Sequence, residues 1–189
     1  MEEEPLTIED RRVDARRNHE QIIDGAITVL GADPGASLQD IATAAGLHRA
    51  TLHRHFRSRE DLLEAIRRRS AERVLAAYRD ALDSGAPPAE ALHATVRRVL
   101  SEAAPDALWR FGSYYGPGTD EYRAELVALG TSIVEAAQRI GDVRTDLPPR
   151  LLYAVWTGVS YSMMPLLSDG IVDIDAAVAT IMSTLRGAP

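Results

Sequence analysis

The chain contains no cysteine. That absence excludes disulfide staples, thiolate zinc sites, iron–sulfur clusters and cysteine nucleophiles. Lysine is also missing, and all 21 basic side chains are arginine. A P-loop, a pyridoxal Schiff base and a protein-kinase lysine are therefore excluded, and no cofactor is expected. No segment alternates apolar and polar residues with period two, so no sheet is predicted. The first residues lack the basic-then-apolar layout of a secretory signal. Long apolar runs are scarce too. The one charge-free stretch, Leu151 to Ser168, holds Tyr153, Thr157, Ser160, Tyr161, Ser162 and Pro165. It reads as a helix buried on most sides rather than a membrane span. A soluble, cytoplasmic protein is expected.

What is present is ordinary globular composition: 189 residues, 46% apolar and 26% charged, enough for one or two compact domains. The net charge of -7 is unevenly spread. Residues 1–10 carry five acids and no base, and residues 74–189 are acidic. Residues 11–73 carry twelve arginines against nine acids, with four of the five histidines. A basic, histidine-rich segment on an acidic protein suits a local polyanion contact, although +3 taken alone also describes a solvated face.

The apolar periodicity is helical throughout. Ile22, Ile23, Ala26, Ile27 and Leu30 form one stripe, and residues 31–35 read as a loop. Ser37 with Asp40, and Ser58 with Asp61, each resemble a capping box with a shortened acid. A short helix Ser37–Ala45 is predicted to end at Gly46, and another runs from Leu47 to Phe56. A long amphipathic helix follows, with Leu62, Leu63, Ile66, Val74, Leu75, Tyr78 and Leu82 facing inward. Beyond the Gly-Pro-rich break at 84–88, helices are predicted at 88–103, 120–141, 148–168 and 173–186, with a shorter one near 106–115. Pro148-Pro149 marks a helix start, since proline needs no donor in the first turn.

Two short helices joined by a glycine-containing turn make a helix-turn-helix pattern. The second is rich in donors: His48, Arg49, Thr51, His53, Arg54 and His55. Such a helix fits a major groove, its N-terminal half reaching base edges and the rest reaching phosphates. Arg49 suits a bidentate bond to guanine, His53 shares its face one turn on, and the small Ala50 leaves room for a thymine methyl. Competing chemistry is weak. His19-Glu20 begins like a zinc-protease motif, but Ile23 stands where the second histidine belongs. His48 and His55 lie roughly 10 Å apart along a helix, too far for one metal. Gly158-Val159-Ser160-Tyr161-Ser162 lacks the final glycine of a hydrolase elbow, and no strand precedes it. No catalytic residue and no metal site is expected, and the protein is not read as an enzyme.

Residues 16–66 resemble the DNA-binding domain of TetR-family transcriptional regulators. The family pattern has an Ile-Leu-x-Ala-Ala first helix, a Ser/Thr cap, an Ile-Ala-x-x-Ala-Gly second helix, a Thr-Leu-Tyr-x-His-Phe recognition helix and a basic start to the fourth. Here Ile22-Ile23-Asp24-Gly25-Ala26, Ser37, Ile41-Ala42, Ala45-Gly46, Thr51-Leu52-His53-Arg54-His55-Phe56 and Arg59-Glu60-Asp61-Leu62 occupy those places. His53 replaces the usual tyrosine and Ala50 the common glycine, so the preferred DNA sequence does not follow from the resemblance.

The resemblance implies an all-α fold: a three-helix helix-turn-helix domain followed by a helical ligand-binding and dimerisation domain. The corresponding boundaries are a disordered N-terminal arm at 1–15, the DNA-binding domain at 16–57, a connecting helix at 58–83 and the second domain at 84–189. Within the arm and just beyond it, Arg11, Arg12, Arg16 and Arg17 are placed to reach an adjacent minor groove or backbone. Gln39, Arg49, Ala50 and His53 are implied to read bases; Ser37, Thr51, Arg54, His55 and Arg59 to meet phosphates. A small-molecule pocket is implied among Trp109, Phe111, Tyr114, Tyr115, Tyr153, Trp156 and Tyr161. A homodimer through the last two helices would read a near-palindromic operator in double-stranded DNA. The function implied is a repressor released by a small molecule. A constitutive DNA-binding regulator without an effector is the alternative.

Overall fold

The computed structural model describes residues 8–44, 46–103 and 119–187. Eight α-helices occupy them: α1 (Ile8–Ala32), α2 (Leu38–Ala44), α3 (Arg49–His55), α4 (Arg59–Asp83), α5 (Pro88–Ala103), α6 (Asp120–Arg139), α7 (Pro149–Ser168) and α8 (Ile174–Arg186). No strand occurs among the described residues. The short helix expected near 106–115 lies outside them.

The termini follow from local chemistry. At α2 the Ser37 hydroxyl donates to Asp40 Oδ2 (2.6 Å), the Ser37 amide donates to the same oxygen (2.8 Å), and Asp40 N–H donates back to Ser37 Oγ (3.3 Å). At α4 Ser58 and Asp61 exchange the same hydroxyl and amide bonds, with the Arg57 amide in place of the serine's own donating to the Asp61 carboxylate. Aspartate thus closes a capping box normally made by glutamate. Gly46 ends α2 at φ 66°, a left-handed conformation that glycine adopts without a Cβ penalty. Leu47 N–H then reaches back to Ala42 O (2.8 Å), satisfying a terminal carbonyl and setting the sharp turn into α3. Pro149 opens α7, and Asp173 caps α8 by accepting from Ala176 N–H (2.7 Å).

Three expectations need correction. Residues 8–15, expected in a disordered arm, belong to α1. At its other end α1 continues to Ala32, past the glycine read as the start of a loop. Leu82, expected to face inward, is 41% exposed in the last turn of α4.

The chain divides into two compact units between Ile66 and Arg67, inside α4. In the first, α2 packs against α1 and α3. Ile22, Ala26, Leu30, Ile41, Leu52 and Ile66 form its water-free interior, each at most 1% exposed. In the second, α7 packs on α6 and α8, and α5 on α6 and α8. α7, uncharged beyond Arg150, buries Leu152, Tyr153, Trp156, Ser160 and Met164 on one face and leaves Leu151 and Tyr161 exposed. Among the described residues, no helix is long and apolar enough to cross a membrane.

One feature of the first unit responds to pH. The half-buried His19 ring stacks on Phe56 (4.9 Å) and lies 5.9 Å from His55. Burial, and then the neighbouring His55, hold the His19 pKa below its ordinary 6.5, against a weaker opposing pull from Glu20. The unfolded chain therefore takes up the proton first as pH falls. Stability attributable to His19 is complete above 6.5 and declines as pH drops from there to the lower folded value. Urea midpoints recorded between about pH 7.5 and 5.5 are expected to fall less steeply in His19→Gln than in the natural protein.

Candidate nucleic-acid interface and ligand cavity

In the first unit, burial of Ile41, Ala42 and Leu52 decides which faces of α2 and α3 remain outward. Gln39, Arg49, Ala50 and His53 are all exposed. Arg49 Nε donates to His53 Nε2 (3.3 Å), one turn away, so the two donor-rich side chains lie together on one outer face. That bond requires the neutral imidazole with its proton on Nδ1. Arg54 Nη2 donates to Thr51 Oγ1 (3.1 Å), and Ser37, the third expected phosphate contact, is exposed. α3 has no side-chain cap: His48 occupies the N-cap position in extended backbone, and only its carbonyl bonds the helix, accepting from Thr51 N–H (2.8 Å) and Leu52 N–H (3.2 Å).

The two remaining phosphate candidates are engaged within their own unit. Half-buried His55 faces His19 and Phe56. Arg59 Nη2 donates to Pro34 O (2.6 Å) and its Nε to Ala36 O (3.2 Å), tying the start of α4 to the loop before α2. The residues around Arg59 could not show its engagement, because its partners are backbone carbonyls more than twenty residues away.

The second unit contains a cavity of about 270 Å³ lined almost wholly by carbon. Tyr153, Trp156 and Tyr161, expected at a pocket, line it. Trp109, Phe111, Tyr114 and Tyr115 lie outside the described residues. The lining also takes in Val74 and Tyr78 from α4, which the periodicity of that helix had marked only as core. The aromatic rings brace one another: Tyr78 lies 5.5 Å from Trp156, and Tyr153 meets Trp156 edge-on at 5.7 Å. Tyr153 is set by a close helix approach. A Cβ added to Gly130 of α6 would fall 2.1 Å from the Tyr153 ring, so only glycine admits the ring there.

Elsewhere in the second unit, polar side chains bridge the helices at their surfaces. Tyr122 of α6 donates its hydroxyl to Glu72 of α4 (2.7 Å), and burial with this acidic partner pushes its pKa up to about 12. Arg79 bonds Glu125, linking the same two helices, and Arg98 bridges Asp80 and Glu102. These exposed pairs contribute little individually.

Comparison with known proteins assigns both units to one lineage. The family model for bacterial regulatory proteins of the tetR family matches residues 22–66. Over 179 residues the chain is 31% identical to the HTH-type transcriptional repressor LfrR of Mycolicibacterium smegmatis, covering 92% of this chain and 93% of that one. The crystal structure of LfrR in complex with proflavine superposes with a TM-score of 0.72 at 30% identity, over 93% of this chain and 96% of the other. The regulator SCO0520 of Streptomyces coelicolor gives a TM-score of 0.62 at 26% identity, over 90% and 99% of the two chains.

Proposed function

This chain belongs to the TetR family of bacterial regulatory proteins, and from that premise we propose that it is a transcriptional repressor released from its operator by a small molecule. One observation carries the reading: Gln39, Arg49, Ala50 and His53 all lie exposed on a helix pair whose opposite faces are buried. A helix held in this way presents its outer side chains to a groove at no folding cost. Arg49 and His53 read base edges, while Ser37, Thr51 and Arg54 position the helix on phosphates. The protein acts as a homodimer through α7 and α8, placing two recognition helices on a near-palindrome. Release follows from α4, which carries residues of the first unit at its start and the cavity residues Val74 and Tyr78 further along. A ligand that favours one position of that helix shifts the DNA-competent population by its differential affinity for the two states. Support for a ligand comes from the cavity itself and from the proflavine complex of the relative.

Selection of binding sites from random duplex DNA, followed by salt titration on the winner, tests the DNA reading. A palindromic consensus is expected, with log affinity falling linearly against log salt concentration. Equal affinity for every duplex at low ionic strength would refute it.

A further inference from the structure

We propose that His53 is the positioning residue for Arg49: it holds the guanidinium by its Nε and leaves the two terminal nitrogens to grip one guanine, so that the pair reads a single base pair as a unit. The proposal rests on the DNA-binding reading above and specifies the base and the geometry of its recognition.

A guanidinium carries five donors in one rigid plane. It can offer a forked pair from its side, Nε with one Nη, or from its end, both Nη together. In α3 the Nε of Arg49 is taken by His53 Nε2 (3.3 Å), and neither Nη bonds a protein group among the described residues. The end-on fork is therefore the one left open. Arg54 and Arg59 differ. Arg54 gives Nη2 to Thr51 Oγ1, and Arg59 gives Nε and Nη2 to the carbonyls of Ala36 and Pro34. Of these three arginines, Arg49 keeps its end fork whole.

That fork matches one base edge in the major groove. Guanine presents O6 and N7, two neighbouring acceptors; adenine and cytosine each present a donor there, and thymine a single acceptor. Arg49 and His53 are both exposed, so their bond matters less for the folded chain than for binding. Immobilising a long side chain at an interface costs about 2- to 12-fold in affinity. A guanidinium already held in place has met part of that cost before DNA arrives. The imidazole does this as an acceptor. Glutamine at position 53 offers an amide oxygen for the same role, and alanine offers nothing.

The test uses the full-length protein and the operator selected as above. Fluorescence anisotropy gives affinities for that operator and for copies in which the base pair sensitive to Arg49→Ala is changed in one half-site. That base pair is expected to be G·C. His53→Ala should cut the guanine preference there about 2- to 12-fold, with little change in the urea midpoint. His53→Gln should retain most of the preference. Added to Arg49→Ala, the His53→Ala change should remove nothing further at that base pair. An undiminished preference in His53→Ala, equal losses in His53→Ala and His53→Gln, or a further loss in the Arg49→Ala background each overturn the positioning role. A sensitive base pair other than G·C, or none at all, overturns the end-on fork. If no duplex is selected in the first place, the DNA-binding reading itself fails, so the two failures are distinguishable.

Discussion

Truncation of Trp156 to alanine is expected to destabilise the second unit by about 3–5 kcal/mol, the usual cost of deleting a large aromatic from a packed interior. The indole is 1% exposed and braced by Tyr78 and Tyr153 from two different helices. Its loss removes apolar contact from both neighbours and adds a void beside an existing cavity. A domain has only about 5–15 kcal/mol in total, so the change takes a large fraction of it. The measurement is a urea midpoint at fixed protein concentration, since the proposed dimerisation would make apparent stability depend on protomer concentration. Trp156→Phe, which keeps a ring in place, should lose less than half as much. A loss below about 1 kcal/mol in the alanine variant would mean the aromatic cluster is not packed as described. Because the enlarged cavity stays apolar, a bulky apolar ligand should raise the variant's midpoint more than that of the natural protein.

The second large effect concerns specificity rather than stability. Arg49→Ala is expected to weaken binding to the selected operator by about 1–3 kcal/mol per half-site, roughly 5- to 150-fold, and to relax preference at one base pair. Arg49 is exposed and its guanidinium bonds the equally exposed His53, so its removal should leave the fold intact. Binding to unrelated duplex should change little. Arg54→Ala supplies the contrast. Its loss should fall evenly on operator and non-specific DNA and should reduce the salt slope by about one. Fluorescence anisotropy on both duplexes across a salt series separates the outcomes. If the two substitutions behaved identically on both, Arg49 would be a phosphate contact and the assignment of base-reading residues would be wrong.

The first unit was legible in the sequence because each of its signals is local. Ser37 and Asp40 cap across one turn, Gly46 stands where the chain must turn left-handed, and Leu52 and Phe56 mark the inner side of α3. A seven-residue helix with its inner face so marked leaves Arg49, Ala50 and His53 nowhere to go but outward. Local signals served less well where the partner was remote. Nothing about Arg59 in its own neighbourhood announces that the carbonyls of Pro34 and Ala36 occupy part of its guanidinium. His55 looks like a phosphate donor until Phe56 and His19 are seen beside it.

Sequence alone was enough to determine an all-helical chain, the ends of most helices, and which donors α3 turns outward. Hydrogen bonds within a turn and the 3.6-residue period are written into nearby residues. Only the tertiary structure decided that the interior of the second unit is incompletely filled and that Tyr78 of α4 meets Trp156 of α7 there. Periodicity states that a side chain points inward. Whether the inward side chains fill the volume between helices depends on how closely the backbones approach, as Gly130 and Tyr153 illustrate, and that is a property of several segments at once.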